Sequence, residues 1–439
     1  MTTTCPNKKN KIDLKHYNYK KDIDNRLLLA DLTFFEVDIL REIVDGSLKI
    51  PIATLADNLG ITTKQLLPAL EKLGITHLFL VSSDLIHVDK EMRKYFETQL
   101  LKFDESFKPG IEFLQTLLNK VPIDILHSWY PACRASDSIW QAIMEKYLVT
   151  PKIYNKYLEE IQFEDPIINK IISDIFHAEN YKVSSKELLK KYSLSRETLE
   201  KYLLHLEFNF IGYLSYEKTE SGWEEVITPI YEWTEYLKHT KQIQPKQPKN
   251  LPNIPSEEFY FLKSLKNYLK QIQKEKTFTA DTSDFFQTAK FLGLVKKKNE
   301  KEYVASPVLS EWLETDLTEQ AAILYKQTLI DLCSKLSYTD QDVRKIEKSL
   351  KRIAQKEWVL YDEFVKGFSC NIGNTPAISL QKKGKNWKYQ YPTYLEEELE
   401  FIHYNICERL PKLGMVDVFT YEGNKYIRLT PFGKIAIFE

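Results

Sequence analysis

The side chains that most often perform catalysis or bind metals are scattered along this sequence. None of its eight His is paired with a Cys or with another His at the spacing of a metal site. His77 and His87 could face each other across a hairpin, but two imidazoles without a third ligand make a poor site. The Cys are far apart and form no C-x-x-C motif: Cys5, Cys133, Cys333, Cys370 and Cys407. We therefore expect no metal site.

The motifs of nucleotide-dependent enzymes and of serine hydrolases do not occur either. The sequence has no G-x-x-x-x-G-K-[ST], no G-x-G-x-x-G and no G-x-S-x-G. Its densest carboxylate cluster, residues 396–400, lies at helical spacing beside Leu395 and Phe401. General acid–base catalysis needs two carboxylates in different environments around a cleft, so a solvated helix face explains this cluster better. We expect no cofactor and no enzyme activity from this chain.

What remains is the chemistry of basic side chains, which bind phosphate. The 61 Lys+Arg and 62 Asp+Glu give a net charge of −1, but they are unevenly distributed. Residues 238–390 hold 27 Lys+Arg and 18 Asp+Glu, whereas the remainder holds 34 and 44. This asymmetry favours a nucleic-acid surface in the C-terminal half, because phosphate contacts release counterions. The alternative is a set of solvated, Lys-rich helix faces.

The composition favours helices as the elements that position these lysines. Hydrophobic residues make up 43% of the 439 residues, charged residues 28%, and there are only 13 Gly. Such a chain predicts a mainly α fold with short β-hairpins, in two to four domains at roughly 100–200 residues each. The N-terminus lacks the apolar core of a secretory signal, and no window approaches about 18 apolar residues. With unpaired Cys, this predicts a cytoplasmic protein without a membrane partner.

An apolar–Gly–apolar pattern recurs four times, each time between a helix-like stretch and a hairpin-like stretch. Its glycines are Gly74, Gly212, Gly293 and Gly414. Since Gly enters the left-handed region easily, we expect each of them at the C′ position of a helix. The alternating segments that follow, each with a polar tip, predict two-stranded hairpins. Helices are then expected to begin at Asp89, Thr228-Pro229, Ser306-Pro307 and Thr430-Pro431.

Two amphipathic helices separated by a short turn precede each of the first two glycines. They are residues 53–59 and 63–73 in the first copy, and residues 184–192 and 196–208 in the second. Helix, helix, helix, Gly and hairpin, in this order, resembles the winged-helix superfamily, in about four tandem modules. The chain is also loosely similar to helicase-associated winged-helix regions, without the motor. In the third copy the preceding helix is displaced to 256–275, and the fourth carries an insertion.

The pattern divides the chain into seven segments. We expect a flexible basic tail (1–25), winged-helix module 1 (26–105), a helical, aromatic-rich connector (106–165), module 2 (166–240), a Pro/Gln/Lys linker (241–255), module 3 (256–330), and module 4 (331–439) with its insertion at 368–392.

The resemblance implies that the last helix of a module enters the major groove and that the wing contacts the adjacent backbone. The candidate DNA-binding residues on this basis are Thr62, Thr63, Lys64, Gln65 and Lys72 in module 1; Ser195, Arg196 and Lys201 in module 2; Lys296, Lys297 and Lys298 in the wing of module 3; and Lys382, Lys383 and Lys385 in the insertion. The function expected is that of a double-stranded-DNA-binding transcription regulator or of a chromosome or helicase accessory factor.

The charge distribution keeps a second hypothesis open. The two best helix–turn–helix patterns lie in the acidic part of the chain, where DNA binding would be weak. The alternative is a protein-interaction scaffold whose modules dock on a helicase, a polymerase or a chromosome-organising complex. Aromatic residues are frequent interface anchors, and the stretch 209–216 with Trp223 is a candidate for such a role.

Overall fold

The computed structural model describes residues 8–9, 12–130, 138–248, 251–252, 254–335, 338–384 and 386–438. They fall into two compact units. Unit 1 comprises the described residues up to Lys238 together with Leu380–Tyr389, and unit 2 comprises His239–Ser379 and Gln390–Glu439, again for the described residues. Helices dominate both units, and the strands form small sheets of two or three strands. The predicted fold class, mainly α with short β-hairpins, is confirmed.

The segment expected to be a flexible basic tail is folded from residue 12 onward. After the two-residue strand β1 (Lys8–Lys9), helix α1 spans Tyr19–Ala30. Ile12, Leu14 and Ile23 are buried, and these apolar side chains attach the segment to unit 1. The prediction of a flexible segment is therefore wrong for residues 12–25, while residues 1–7, 10 and 11 lie outside the described residues.

Module 1 has the predicted helices and hairpin, with one additional strand. Its elements are α2 (Phe34–Asp45), β2 (Lys49–Pro51), α3 (Ile52–Asn58), α4 (Thr63–Leu73), β3 (Phe79–Ser82), β4 (Leu85–Val88) and α5 (Lys90–Leu100). Strand β4 pairs antiparallel with both β3 and β2, so the last strand is the middle one. Asp89 caps α5 as expected, because its carboxylate accepts the N–H of Met92.

The segment between modules 1 and 2 is mainly helical. It contains α6 (Ile111–Leu118), α7 (Ile123–Trp129), α8 (Ile139–Ile143), α9 (Pro151–Glu160) and β5 (Ile161–Gln162), and β5 pairs in parallel with β1.

Module 2 repeats the order of module 1. Its elements are α10 (Pro166–His177), β6 (Val183–Ser184), α11 (Ser185–Tyr192), α12 (Arg196–Phe208), β7 (Tyr213–Thr219), β8 (Gly222–Thr228) and α13 (Tyr231–Gln242). Strand β8 pairs with both β7 and β6. One hydrophobic core runs through modules 1 and 2, with Leu40, Phe103, Leu203 and Ile227 among its buried members. The two modules therefore form a single packed body.

The linker predicted as a spacer is partly attached to unit 2. Residues 241–242 belong to α13, and Pro245 is buried. The ammonium of Lys356 donates to the carbonyl of Pro245, and the N–H of Lys246 donates to Glu363. These bonds argue against a spacer that is free along its whole length.

Module 3 has no helix between its first strand and the helix that precedes its hairpin. It contains α14 (Tyr260–Ile272), β9 (Phe278–Thr279), α15 (Asp284–Phe291), β10 (Val295–Lys297), β11 (Glu302–Ala305), α16 (Val308–Glu314) and α17 (Leu317–Lys335). Strand β11 lies between β10 and β9.

Module 4 has the same sheet order and a long insertion. Its elements are α18 (Asp340–Ser349), β12 (Val359–Leu360), α19 (Tyr361–Lys366), β13 (Ser379–Lys383), β14 (Asn386–Gln390), α20 (Glu396–Tyr404), α21 (Leu410–Lys412), β15 (Val416–Tyr421), β16 (Asn424–Leu429) and α22 (Pro431–Phe438). A π-helical turn at Asn405–Arg409 joins α20 to α21. Modules 3 and 4 share the second hydrophobic core, which includes Leu265, Phe286, Ile346 and Ile406.

The role predicted for the four glycines holds in unit 2 and fails in unit 1. Gly293 and Gly414 have φ of 70° and 75° and end their helices in the left-handed region. Gly74 has φ −57° and continues into a 3₁₀ turn, and His77 takes the left-handed position instead. In module 2 the left-handed residue is Phe210, two positions before Gly212.

This difference predicts opposite effects of Gly→Ala at two equivalent positions. A Cβ at Gly74 meets no atom within 4 Å, so Gly74→Ala should be neutral or stabilise by up to about 1 kcal/mol through the unfolded state. A Cβ at Gly414 lies 2.6 Å from Cδ1 of Phe259, and the backbone is left-handed. Gly414→Ala should therefore cost roughly 1–3 kcal/mol. Urea unfolding of both variants measures the contrast, and equal midpoints would contradict it.

The predicted Thr/Ser-Pro helix starts are confirmed at one of three positions. Thr430 Oγ1 accepts the N–H of Gly433 at 2.9 Å and caps α22. Helix α16 begins at Val308 with Pro307 at its N-cap, and α13 begins only at Tyr231.

Candidate nucleic-acid interface

Helix α4, which precedes the hairpin of module 1, presents a free face to solvent. Thr62 and Gln65 form a capping box at its N-terminus, because Gln65 Oε1 accepts from the N–H of Thr62 at 3.0 Å and from its hydroxyl at 2.8 Å. Thr63 and Lys64 are exposed. Lys72 forms an ion pair with Glu36 on α2 at 2.7 Å. The face can thus offer Thr63 and Lys64 to a ligand, whereas Gln65 and Lys72 already have partners in the module.

The corresponding helix of module 2, α12, is covered by its own unit. From Leu199 to Phe208 no residue is exposed. Ser195 caps the helix by accepting the N–H of Thr198 at 3.2 Å, and Lys201 pairs with Glu197 at 2.7 Å. Arg196 forms ion pairs with Glu200, at 2.9 Å, and with Glu225. This geometry argues against the expected DNA contacts of Ser195, Arg196 and Lys201, since the helix cannot enter a groove while its face is packed.

Tyrosines account for much of this burial. A helix leaves its last four carbonyls without intrahelical partners. At the end of α12 the carbonyls of Glu207, Phe208, Asn209 and Phe210 accept hydroxyls from Tyr213, Tyr130, Tyr157 and Tyr154, respectively. Three of these tyrosines come from the connector. The aromatic residues of the connector therefore hold α12 inside unit 1.

The aromatic stretch proposed as a partner anchor is also internal. Phe210, Tyr213 and Tyr216 are buried, and Tyr216 stacks on Phe103 with a 4.0 Å centroid distance. Trp223 packs edge-on against Phe34 of module 1. Core packing between the modules explains this stretch, and the prediction of a partner surface there is wrong.

A buried ionic cluster joins α1 to α12. The guanidinium of Arg26 donates through Nε to Glu200 at 2.8 Å and through Nη1 to Glu207 at 3.0 Å, and all three side chains are about 1% exposed or less. Lys102 Nζ lies 3.8 Å from Glu207 and is equally buried. We call Arg26, Lys102, Glu200 and Glu207 the ionic cluster. No sequence pattern indicated it, because Arg26 follows directly on the segment predicted to be a tail.

Lys102 makes the stability of unit 1 depend on pH. Burial lowers the pKa of Lys102 to about 8, against the opposing effect of Glu207. Lys102 is therefore protonated less in the folded chain than in the unfolded chain between pH 8 and 10.5, and its contribution to stability rises with pH in this window. Between about pH 8 and 9.5 this contribution should grow by roughly 1.5 kcal/mol. Buried tyrosines such as Tyr154 and Tyr213 act in the opposite direction, because burial raises their pKa. Urea unfolding of the chain and of Lys102→Met at several pH values isolates the Lys102 contribution as the difference between the two slopes, and equal slopes would contradict the assignment.

The wing of module 3 carries three consecutive exposed lysines. Lys296, Lys297 and Lys298 are exposed, and none of them has an ion pair within the described residues. The wing has a built turn at its tip, where Asn299 Oδ1 accepts the N–H groups of Lys301 at 3.1 Å and of Glu302 at 2.8 Å. The lysines therefore stand on a defined hairpin.

The surroundings of this wing are basic as well. Residues 260–305 hold ten Lys and five Asp or Glu, a net charge of +5. On α14 the side chains of Lys263 and Lys270 are exposed, and their spacing of seven places them on one side of the helix; Lys274, just beyond its end, is exposed as well. Lys290 is exposed on α15. Module 3 can therefore contact several phosphates with ammonium groups.

The hairpin part of the insertion, Leu380–Tyr389, belongs to unit 1, whereas the rest of the insertion belongs to unit 2. Leu380 donates its N–H to the carbonyl of Val149 at 2.8 Å, and the Tyr389 hydroxyl donates to the carbonyl of Leu148 at 2.8 Å. Lys382 pairs with Glu112 at 3.0 Å, and Lys383 is exposed. Lys385 lies outside the described residues. The hairpin is held by the connector, so it does not extend module 4 as the sequence suggested.

Helix α20 of module 4 carries acidic residues where a DNA-reading helix carries basic ones. Glu396, Glu397 and Glu400 are exposed. Glu398 is buried and accepts the N–H groups of Leu395 at 2.9 Å and of Thr375 at 3.1 Å. A helix surface of this charge repels phosphate, so α20 is not a candidate for nucleic-acid contacts.

The described residues bear on two further classes of site, metal-binding and membrane-spanning. Among them no group of three His, Cys, Asp or Glu could hold a metal ion. In the same part of the chain, every helix falls short of the length and apolarity that crossing a membrane requires. Comparison of the chain with protein-family models, with curated proteins and with solved structures found no match.

Proposed function

We propose that this chain is a non-enzymatic protein of tandem winged-helix modules that binds double-stranded DNA, as a transcription regulator or as a chromosome or helicase accessory factor. The sheet order supports the resemblance to winged helices: in all four modules the last strand of the hairpin also pairs with the short strand that precedes the helices. That strand lies outside the pattern that suggested the resemblance.

One observation carries the proposal. Lys296, Lys297 and Lys298 stand exposed and without an ion pair, among the described residues, on the wing of module 3, and the segment 260–305 around them has a net charge of +5. Lysines act as point charges on phosphate and carry little base information. We therefore assign affinity to the wing of module 3, and we assign any base contact to Thr63 and Lys64 on α4.

Fluorescence anisotropy with the full chain tests this function. A mixed-sequence 30-mer duplex and its single strand are titrated from low to physiological salt. The proposal expects duplex binding whose affinity falls with salt: the plot of log affinity against log salt concentration should have a slope of about −3 or steeper, since each phosphate contact contributes roughly −0.9. No duplex binding at low salt would exclude it.

A protein-interaction scaffold is the second candidate, and a specific observation favours it. Helix α12, which would read DNA in a winged helix, is packed inside unit 1 by four tyrosine hydroxyls and by the ionic cluster. A module used in this way contributes to architecture. Affinity purification from cytosol with a variant in which Lys296, Lys297 and Lys298 are replaced by Glu separates the candidates: a scaffold keeps its protein partner when DNA binding is weakened.

A further inference from the structure

Module 4 contains an open groove between α19 and α20. Its volume is about 680 Å³, within the range of sites that accept several side chains of a ligand. The groove has an apolar lining made by Val365 from α19 and by Leu399 and Tyr404 from α20. Leu399 and Tyr404 are each 39% exposed. Apolar side chains that are this exposed and lie together in one concave site are typical of a surface that binds a partner, because binding removes them from water.

The rim of the groove is acidic. Asp362, Glu396, Glu400 and Glu408 line it, and Lys366 is the opposing cation on α19. Each of the four carboxylates is exposed, and Glu396 and Glu400 are one helical turn apart. With Lys366 counted, the lining has a net charge of −3 when His403 is neutral.

His403 adds no positive charge at neutral pH. Lys425 Nζ donates to His403 Nε2 at 2.6 Å, which requires an unprotonated nitrogen. Burial and the neighbouring ammonium both lower the pKa of His403, and Glu408, 4.0 Å from Nδ1, opposes them. The groove therefore keeps its negative potential throughout the neutral range.

We propose that the groove between α19 and α20 binds an amphipathic, Lys/Arg-rich helix of a partner protein. A helix that lies in a groove inserts apolar side chains at positions i, i+3, i+4 and i+7, and the apolar lining of this groove suits such anchors. The four rim carboxylates complement basic residues flanking those anchors and disfavour phosphate-bearing ligands. The inference is independent of the DNA interface of module 3, which lies on basic residues.

A synthetic helical peptide serves as the probe. It has 14 residues, Leu at the four anchor positions, Lys elsewhere, an N-terminal fluorophore and a photoreactive benzoylphenylalanine in place of one Leu. We expect saturable binding by anisotropy and cross-links to residues 361–366 or 396–408. Glu400→Lys/Glu408→Lys should weaken binding at least tenfold. The matched control, Glu105→Lys/Glu220→Lys, reverses two exposed carboxylates of unit 1 and should change affinity less than twofold.

Three results would overturn the proposal. Equal losses in the two double variants would mean attraction by net charge alone. Cross-links that map elsewhere would place the peptide on another surface. A concentration-dependent dimer in sedimentation, abolished by Glu400→Lys/Glu408→Lys, would assign the groove to a second copy of the chain. Circular dichroism melting of both variants verifies their folding, and duplex DNA affinity, measured in parallel, shows whether the DNA interface is affected separately.

Discussion

Replacing Arg26 by Met should destabilise unit 1 by about 3–5 kcal/mol, the usual cost of removing one partner from a buried ion pair. Arg26 is 1% exposed and donates to two carboxylates of α12 that are equally buried. Because Met fills a similar volume, the loss of stability measures the contribution of the charged group. Without Arg26, the ion-pair partner left to Glu207 among the described residues is Lys102, at 3.8 Å, and the one left to Glu200 is Arg196; Glu207 also accepts the N–H of Leu214 at 3.4 Å.

Hydrogen exchange of peptides from α1 and α12, followed in urea, measures this effect within unit 1. The matched control is Arg93→Met, because Arg93 forms an exposed i,i+4 pair with Glu97 at 3.2 Å. Exposed pairs of this kind contribute at most about 1 kcal/mol. Adding Glu207→Gln to Arg26→Met should recover part of the loss by removing the unpaired carboxylate. A cost below about 1 kcal/mol for Arg26→Met would mean that the cluster does not hold α1 in place.

The sequence predicted the elements whose signals are local. The amphipathic periodicity of residues 63–73 and 196–208 predicted α4 and α12, and the alternating segments around polar tips predicted four hairpins. The short first strands were not predicted. A strand of two residues such as Val183–Ser184 has no periodicity of its own, since its pairing with β8 is decided by the tertiary fold.

Charge was the weaker guide to the candidate site. Arg196 and Lys296 look alike in a sequence, yet one lies against Glu200 and Glu225 whereas the other is free in solvent. Glu200 and Glu207 are acidic residues in the middle and at the end of a helix, yet they are the buried half of the ionic cluster. Their partner, Arg26, is 174 and 181 positions away. Pairings at that separation leave no trace in a local pattern.

These placements give the modules different roles. Modules 1 and 2 share one core, and α12 and its tyrosine partners are structural elements of it. Module 3 keeps an exposed basic wing, and module 4 carries an acidic helix beside an apolar groove. Four similar folds thus present four different surfaces, and the wing of module 3 is the surface whose chemistry best suits phosphate.

Reversing the charge of that wing should therefore have the largest effect on DNA binding. We expect Lys296→Glu/Lys297→Glu/Lys298→Glu to weaken duplex binding at least about tenfold at roughly 0.1 M salt and to flatten the log–log salt slope by roughly 2.7, about 0.9 for each phosphate that the wing no longer neutralises. The loss of affinity should be similar for all duplex sequences, because the wing binds the backbone.

The control Lys170→Glu/Lys186→Glu/Lys190→Glu removes three exposed lysines of module 2 and changes the net charge equally. It should keep most of the affinity, since the helix that would read DNA in module 2 is packed inward. An unchanged slope in the wing variant, or an equal loss of affinity in both variants, would remove the wing from the interface.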